Sequence, residues 1–392
     1  MSISRKVAEA MQASSWIRRM FEEGAKLRAQ HGASNVFDFS LGNPVVEPPD
    51  DVVAALVAAA GTHERGAHRY MPNAGYPHVR QAVAEHLARE TGLPYSGDRI
   101  VMCVGAGGGL NVLFKALLDP GDEVIVLTPF FVEYVFYVDN HGGRCVQVPT
   151  DDAFLPDLDA IRAAITPKTR ALVVNSPNNP TGVTYPRACL DALGALLREE
   201  SARHGRPIVL VSDEPYRHIA YDVDVPWVPL SYDDTVIVTS HSKDLALPGE
   251  RIGFIAPSPR MQGDAELAAA LTFTNRILGF VNAPAIQQRA VATLQGRSVD
   301  PGIYRGKRDR FLPALRSMGY EIVEPTGAFY MFPKSPEPDD VAFVRALQEE
   351  LILTVPGRGF GRPGHVRISY CVEDDTIDRA LPGFERVMQR YH

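Results

Sequence analysis

Seven short apolar runs in the middle of the chain constrain its fold more than any other feature. They lie between about residues 100 and 256, are rich in valine and isoleucine, and are apolar on both alternating faces. This pattern is typical of strands that are covered on both sides, as in a sheet with helices above and below it. The runs are IVMCV, EVIVL, RCVQV, ALVVN, PIVLVS, TVIVT and RIGFIA.

Helical segments alternate with several of these runs, for example GGLNVLFKALL and PRACLDALGALLREESARHG. The alternation predicts an α/β fold with a mostly parallel seven-stranded sheet and helices on both faces. After about residue 285 the pattern changes to a long helical segment near 284–317, a helix near 339–350, the strand-like HVRISY and a final helix. We therefore predict a large domain over residues 48–290 and a smaller α+β domain over residues 291–392, which the N-terminal segment 1–47 joins.

Composition narrows the class of protein. The net charge of −7 gives no reason to expect nucleic acid or an anionic membrane as a partner, and no apolar stretch approaches the ~20 residues that span a bilayer. The N-terminus has no apolar core of a secretory signal. Four widely spaced cysteines are expected to be free thiols of a cytoplasmic protein, and the histidines show no metal-ligand spacing, so no metal site is predicted.

Ligands of open α/β sheets bind at the carboxyl ends of the strands, so the residues that follow each run matter most. The glycine stretch from Gly105 to Gly109 follows the first run and opens a helix, where backbone N–H groups can hold a phosphate. A plain tight turn is the alternative. The stretch does not fit G-x-G-x-x-G cleanly, and no acidic residue follows a second strand in the expected place, which disfavours a nicotinamide cofactor.

Three more of the apolar runs, ALVVN, PIVLVS and TVIVT, are followed by polar residues. A carboxylate at a buried strand end, such as Asp213, is costly unless it meets a cation or hydrogen-bond donors, although a helix N-cap is the alternative. Burial at a strand end lowers the pKa of Lys243, and the nearby Arg251 lowers it further. A phosphate, a phenolic oxygen, a protonated ring nitrogen and an aldehyde would together use all of these groups, which points to pyridoxal 5′-phosphate.

The chain resembles the class I/II aminotransferases of the fold-type I pyridoxal-phosphate enzymes, the group that contains aspartate and aromatic aminotransferases. The resemblance covers nearly the whole chain. It rests on motifs in the family's order: FSLGNP, RYMPNAGYPHVRQAV, GAGGGL, PNNPTG, DEPY, SHSKDLALPGERIG and HVRIS.

The resemblance implies a role for each matching residue. Lys243 is expected to form the Schiff base with the cofactor and to carry the proton from the α-carbon of the substrate. Asp213 is expected to pair with the ring nitrogen, and Tyr216 and Asn179 to bind the phenolic oxygen. The phosphate is expected to bind Ser240, Ser242, Arg251 and the backbone of Ala106, Gly107 and Gly108.

Phe131 is expected to stack on the cofactor ring, with Phe130 as the alternative. Tyr70 matches a tyrosine that reaches the phosphate in the other subunit, which implies a homodimer; a surface tyrosine is the alternative. Arg367 is expected to bind the α-carboxylate of the substrate beside Asn179 and the backbone of Gly42, with a structural ion pair as the alternative for the arginine. Possible further wall residues, each equally compatible with packing, are Trp16, Phe39, Tyr134 and Phe360.

The predicted function is a pyridoxal-phosphate-dependent aminotransferase that moves an amino group from an L-amino acid to a 2-oxo acid by a ping-pong mechanism. A C–S β-lyase or a cyclopropane-forming enzyme on the same scaffold is the alternative. GAGGGL carries no cationic side chain, whereas many relatives that use dicarboxylates place a cation in or near this stretch. The sequence therefore gives no support to a preference for acidic donors.

Overall fold

The computed structural model describes residues 3–13 and 15–391, and the side chains of residues 12–22 are outside this description. The helices are α1 (Arg5–Ala13), α2 (Ser15–His31), α3 (Asp50–Ala60), α4 (Pro77–Thr91), α5 (Gly105–Leu117), α6 (Tyr134–Asp139), α7 (Leu158–Ala164), α8 (Arg187–His204), α9 (Asp264–Ile277), α10 (Ala285–Ala292), α11 (Pro301–Ser317), α12 (Asp340–Glu349) and α13 (Asp374–Met388). The strands are β1 (Phe37–Asp38), β2 (Val101–Cys103), β3 (Glu123–Thr128), β4 (Arg144–Pro149), β5 (Thr169–Asn175), β6 (Val209–Asp213), β7 (Thr235–Ser240), β8 (Gly253–Pro257), β9 (Tyr330–Met331), β10 (Ile352–Leu353), β11 (Val355–Pro356) and β12 (Val366–Ser369).

Within the described chain, each of the seven apolar runs contributes one strand to a single sheet. The strand order is β2-β8-β7-β6-β5-β3-β4. Neighbours from β7 to β4 pair in parallel, whereas β8 is antiparallel to both β7 and β2. The predicted seven-stranded, mostly parallel sheet is therefore confirmed.

Alternate residues of the central strands enter different hydrophobic cores on the two faces of the sheet. In β3, Val124 and Val126 pack in one core with α5 and α9, whereas Ile125 and Leu127 pack in another with α8. Strand residues that are apolar at every position require this double cover, because successive side chains point to opposite faces. The parallel strands β5, β6 and β7 thus all end at the same edge.

The smaller α+β domain includes segments from both ends of the chain, as predicted. Strand β1 pairs in parallel with β10, and β11, β12 and β9 form a three-stranded sheet. Its core contains buried aromatic residues from β1 through α13, among them Phe39, Phe311 and Phe384.

The long helix predicted near 284–317 is wrong, because two helices, α10 and α11, occupy this range. Gly296 has φ +81°, in the left-handed region that a helix does not use. Asp300 then caps α11, and Pro301 occupies its first turn, where no N–H is needed. Among the described residues, no helix combines the length and apolar character that crossing a membrane requires.

Candidate active site

A cavity of 350 Å³ lies at the carboxyl edge of β5, β6 and β7. It brings together residues that are far apart in the chain, including most of the predicted site. The predicted residues that line it are Gly42, Ala106, Gly107, Phe131, Asn179, Asp213, Tyr216, Ser240, Ser242, Lys243, Arg251 and Arg367. Other lining residues are Leu110, Glu133, Tyr137, Asn175, Pro215, Pro248 and Tyr330.

Lys243 stands three residues beyond the end of β7. Its Nζ donates a hydrogen bond to the carbonyl oxygen of Gly42 at 2.7 Å. Burial, which is the largest cause, and the positive charges of Arg251 and Arg367 together lower the pKa of the amine to about 8. A lysine with this pKa is neutral in a large fraction of molecules at mildly alkaline pH, so it can act as a nucleophile and as a base.

Asp213 is the last residue of β6, and its side chain is buried against Tyr134. The Tyr134 hydroxyl donates to Oδ2 at 2.5 Å, whereas Oδ1 is buried and has no hydrogen-bond partner among the described residues. Burial raises the pKa of this carboxyl group to about 7. No helix begins here, so the N-cap alternative is excluded. An unpartnered buried acceptor needs a donor, and a protonated ring nitrogen fits that need.

Asn175, at the end of β5, fixes the neighbouring strand ends. Its Nδ2 donates to the Asp213 carbonyl oxygen at 2.9 Å, and its Oδ1 accepts from the backbone N–H of Asn179 at 2.8 Å. On the far side of Asp213, the hydroxyls of Tyr216 and Tyr330 are 2.9 Å apart. The polar groups that face the cavity are therefore held by hydrogen bonds before any ligand binds.

The glycine stretch lies close to Arg251, and a side chain on these glycines would collide with its neighbours. A Cβ atom on Gly105 would lie 2.6 Å from Nη2 of Arg251, and Gly105 has φ +75°. A Cβ atom on Gly107 would lie 2.8 Å from the Tyr137 hydroxyl. Gly108 is not among the lining residues, and a Cβ atom added to it would meet the Val104 side chain. The open backbone, Arg251 and the serines after β7 form a set suited to a phosphate.

Arg367 belongs to β12 and is buried on the opposite side of the cavity. Its Nη1 donates to Oδ1 of Asn179 at 3.2 Å, and its Nη2 donates to the carbonyl oxygen of Ser40 at 2.6 Å. Its Nε is buried without a partner, and no ion pair joins Arg367 to a carboxylate among the described residues. The structural ion pair is thus excluded, and the guanidinium is available for a carboxylate.

Gly42, whose carbonyl oxygen accepts the hydrogen bond from Lys243, stands where no side chain fits. A Cβ atom would lie 1.9 Å from the hydroxyl oxygen of Tyr330. The aromatic ring of Tyr330 is also one of two that face the Arg367 guanidinium, at 5.0 Å, and the other is Phe360, at 4.7 Å.

Tyr70 is not brought to this cavity, and 89% of its side chain is exposed. Phe131 lines the cavity, whereas Phe130 is buried in the core beside the sheet, so the choice between them favours Phe131. Of the possible wall residues, Phe39 and Phe360 belong to hydrophobic cores and Tyr134 lies behind Asp213. The side chain of Trp16 lies outside the described residues.

Sequence reasoning missed four polar lining residues. Asn175 ends an apolar run and could have been found from its position at a strand end. Glu133 and Tyr137 are four residues apart, the spacing of one helix face, but the motif FFVEY attracted attention only for its aromatic rings. Tyr330 lies in a β-strand of the smaller domain and carries no local signal.

The family model and the relatives that match this chain all belong to one family, the aminotransferases. Residues 34–384 match the family model of aminotransferase class I and II. Aspartate/prephenate aminotransferase of Thermus thermophilus is 36% identical over 99% of each chain, and aspartate aminotransferase of Geobacillus stearothermophilus is 32% identical over 94% of each chain.

Solved structures agree with this result. An aminotransferase from Eubacterium rectale has a TM-score of 0.96 at 39% identity and covers 100% of both chains. Aspartate aminotransferase from Thermus thermophilus with maleate has a TM-score of 0.86 at 34% identity and covers 99% of this chain and 100% of that one. The chain therefore belongs to the class I and II aminotransferases, and it is a pyridoxal-phosphate-dependent aminotransferase of fold type I.

Proposed function

We propose that this cavity transfers an amino group from an L-amino acid to a 2-oxo acid in two successive half-reactions. One observation carries the proposal: a buried amine of lowered pKa, a carboxylate with a free oxygen and a buried guanidinium with a free Nε line one cavity. These groups supply a base, a partner for a ring nitrogen and a partner for a carboxylate. The comparisons give no support to the lyase alternative.

The residues present fit the cofactor. Free Oδ1 of Asp213 suits its ring nitrogen, and Tyr216 and Asn179 suit its phenolic oxygen. Phe131 provides an aromatic face. When bound, pyridoxal phosphate withdraws electrons from the α-carbon of the amino acid. The groups proposed to hold its phosphate are Ser240, Ser242, Arg251 and the backbone of Ala106, Gly107 and Gly108.

Two side chains handle the substrate in this proposal. Arg367 binds the α-carboxylate, which orients the α-carbon, while Asn179 and the backbone of Gly42 border the same group. Lys243 takes the proton from the α-carbon on Nζ and returns it to the product. The pKa near 8 suits both directions, since an amine that titrates near the working pH both accepts and releases a proton readily.

Replacing Lys243 by alanine tests the proposal. We expect the Lys243→Ala variant to lose amino transfer by about 1000-fold or more, because the base and the nucleophile are both removed. The measurement is formation of the new 2-oxo acid across a panel of amino donors. Lys334→Ala, which removes an exposed lysine from the smaller domain, is the control and should keep full activity. Comparable turnover in the two variants would refute the assignment of Lys243.

The amino donor of this chain is considered separately from the names of its relatives. Those names specify aspartate and prephenate. Arg367 is already assigned to the α-carboxylate, and Lys243 and Arg251 to the amine and the phosphate. No further lysine or arginine among the described residues lines the cavity for a second carboxylate.

The assembly and the compartment are also proposals. A homodimer in which Tyr70 reaches the neighbouring site is supported by the exposure of that tyrosine and its absence from its own cavity. A cytoplasmic location is supported by four free cysteines. The domain division at residues 47 and 290 is supported by a core that residues of the ranges 1–47 and 291–392 mainly form.

A further inference from the structure

Glu133 is the charged lining residue that the proposed function leaves without a role. Five charged side chains of the described chain face the cavity, and the proposed function uses four of them. Asp213 meets a ring nitrogen, Lys243 moves a proton, Arg251 holds a phosphate and Arg367 holds the α-carboxylate. The contacts and burial of Glu133 indicate its role.

Within the described part of the chain, the side chain of Glu133 makes no contact that would stabilise the local structure. It precedes α6 at the N-cap position, but its side chain makes no capping hydrogen bond. Among the described residues it has no ion pair and no side-chain hydrogen bond to account for a half-buried carboxylate. Burial raises the pKa of this group, and no neighbouring cation offsets that cost. A half-buried, unpaired carboxylate is costly, so a bound ligand is the natural partner for it.

The rest of the cavity wall defines what that ligand can be. With the α-carboxylate at Arg367, a donor's side chain that extends toward Glu133 meets the residues that line the cavity beside it, which are Leu110, Phe131 and Tyr137. Leu110 and Phe131 offer apolar surface, the Tyr137 hydroxyl can donate or accept, and Glu133 carries the one charge of this group, which includes no cation. A second carboxylate would therefore be placed near a like charge, which lowers affinity, whereas an N–H group would be attracted.

We propose that Glu133 selects the amino donor by its side chain, disfavouring a second carboxylate and favouring a side chain with a hydrogen-bond donor or a positive charge. The inference rests on the proposed function. It sets this enzyme apart from relatives whose names specify aspartate, because Glu133 carries the opposite charge to the one that the second carboxylate of a dicarboxylate needs.

The test compares Glu133→Gln with wild type on three kinds of donor, acidic, basic and apolar, at pH 8. For aspartate and glutamate we expect kcat/KM to rise about tenfold, and for ornithine and lysine to fall about tenfold, because one negative charge is removed near the donor's side chain. Leucine should change less than about threefold. Asp139→Asn, which removes a charge from the far end of the same helix, should leave the donor order unchanged.

A binding measurement separates recognition from turnover. Succinate should bind the Glu133→Gln holoenzyme more tightly than the wild type, whereas butyrate should bind both equally, as measured by calorimetry. A parallel loss for all donors would assign Glu133 a structural role, and unchanged kcat/KM ratios would leave it no role in selection; either result overturns the inference. Leucine turnover in both proteins reports on the proposed function separately, since it must persist for amino transfer itself to stand.

Discussion

The two sides of the cavity are built differently. On the cofactor side, the polar groups follow directly on β5, β6 and β7, which lie next to one another in the sheet. On the substrate side, Gly42, Glu133, Tyr330 and Arg367 come from four distant segments. The first side depends on the register of one sheet, whereas the second depends on how the smaller domain packs against it. The groups that act on the cofactor thus lie at the ends of neighbouring strands, and those that recognise the substrate come from loops and short strands.

After that of Lys243→Ala, the largest expected effect belongs to Asp213 on the cofactor side. Asp213→Asn should lower kcat by about 100-fold or more for every donor, because an amide cannot balance the charge of a protonated ring nitrogen. The measurement is steady-state turnover with saturating cofactor. Asp234→Asn, which changes an acid at the opposite edge of the sheet, should remain active. Equal activity of the two variants would show that the cofactor side does not depend on this carboxylate.

The same substitution should change how the free energy of unfolding depends on pH. The pKa of Asp213 is raised from 3.8 to about 7 in the folded protein, so the neutral form is favoured and its contribution is lost as pH rises through about 7. In cofactor-free wild type, the free energy of unfolding should fall between pH 4 and 7 by on the order of 4 kcal/mol from this group. Asp213→Asn should lack that part of the decline in denaturant titrations.

A smaller effect is expected on the substrate side. Arg367→Lys should raise KM for all donors by about 30- to 100-fold, because an ammonium group cannot replace the two-pronged contact of a guanidinium. The increase should be the same for leucine and ornithine, since both carry the α-carboxylate. Arg345→Lys, at an exposed position of α12, should not change KM. A change confined to one donor class would place Arg367 at the donor's side chain instead.

The smallest expected effect concerns the neighbouring subunit. Tyr70→Phe should weaken cofactor binding about tenfold, the value of one hydrogen bond to a charged phosphate, without changing the donor order. Equilibrium dialysis measures the affinity, and sedimentation equilibrium should give about twice the 42.9 kDa chain mass. Tyr391→Phe, whose hydroxyl binds Glu337, is the control. A monomer with unchanged affinity would contradict the proposed dimer.

The sequence allowed more of the cofactor side to be predicted than of the substrate side. Strand residues such as Val124 and Ile125 are apolar at consecutive positions, so both strands and their double cover could be recognised locally. Asp213 and Lys243 then followed from the rule that ligands bind at strand ends. Gly296 and Pro301 carried a signal for the break between α10 and α11 that was not used.

Contacts between distant segments could not be predicted in the same way. The hydrogen bond from Tyr134 to Asp213 joins residues 79 positions apart, and the fit of Gly42 against Tyr330 depends on the packing of the N-terminal segment against β9. Glu133 was missed because an acidic residue before a short helix is ordinary in sequence. Its significance comes from the lack of a partner, which only the three-dimensional arrangement reveals.

The short stretch between Ser40 and Gly42 is anchored to two cations at once. Arg367 holds the Ser40 carbonyl, and Lys243 holds that of Gly42. A ligand that takes the Nη2 hydrogen now directed at Ser40 releases the first of these anchors, whereas one that takes the second Nη2 hydrogen leaves it in place. Because the stretch continues directly from β1, which pairs with β10, a ligand bound in the first way changes the tethering of the smaller domain as well as the occupancy of the cavity.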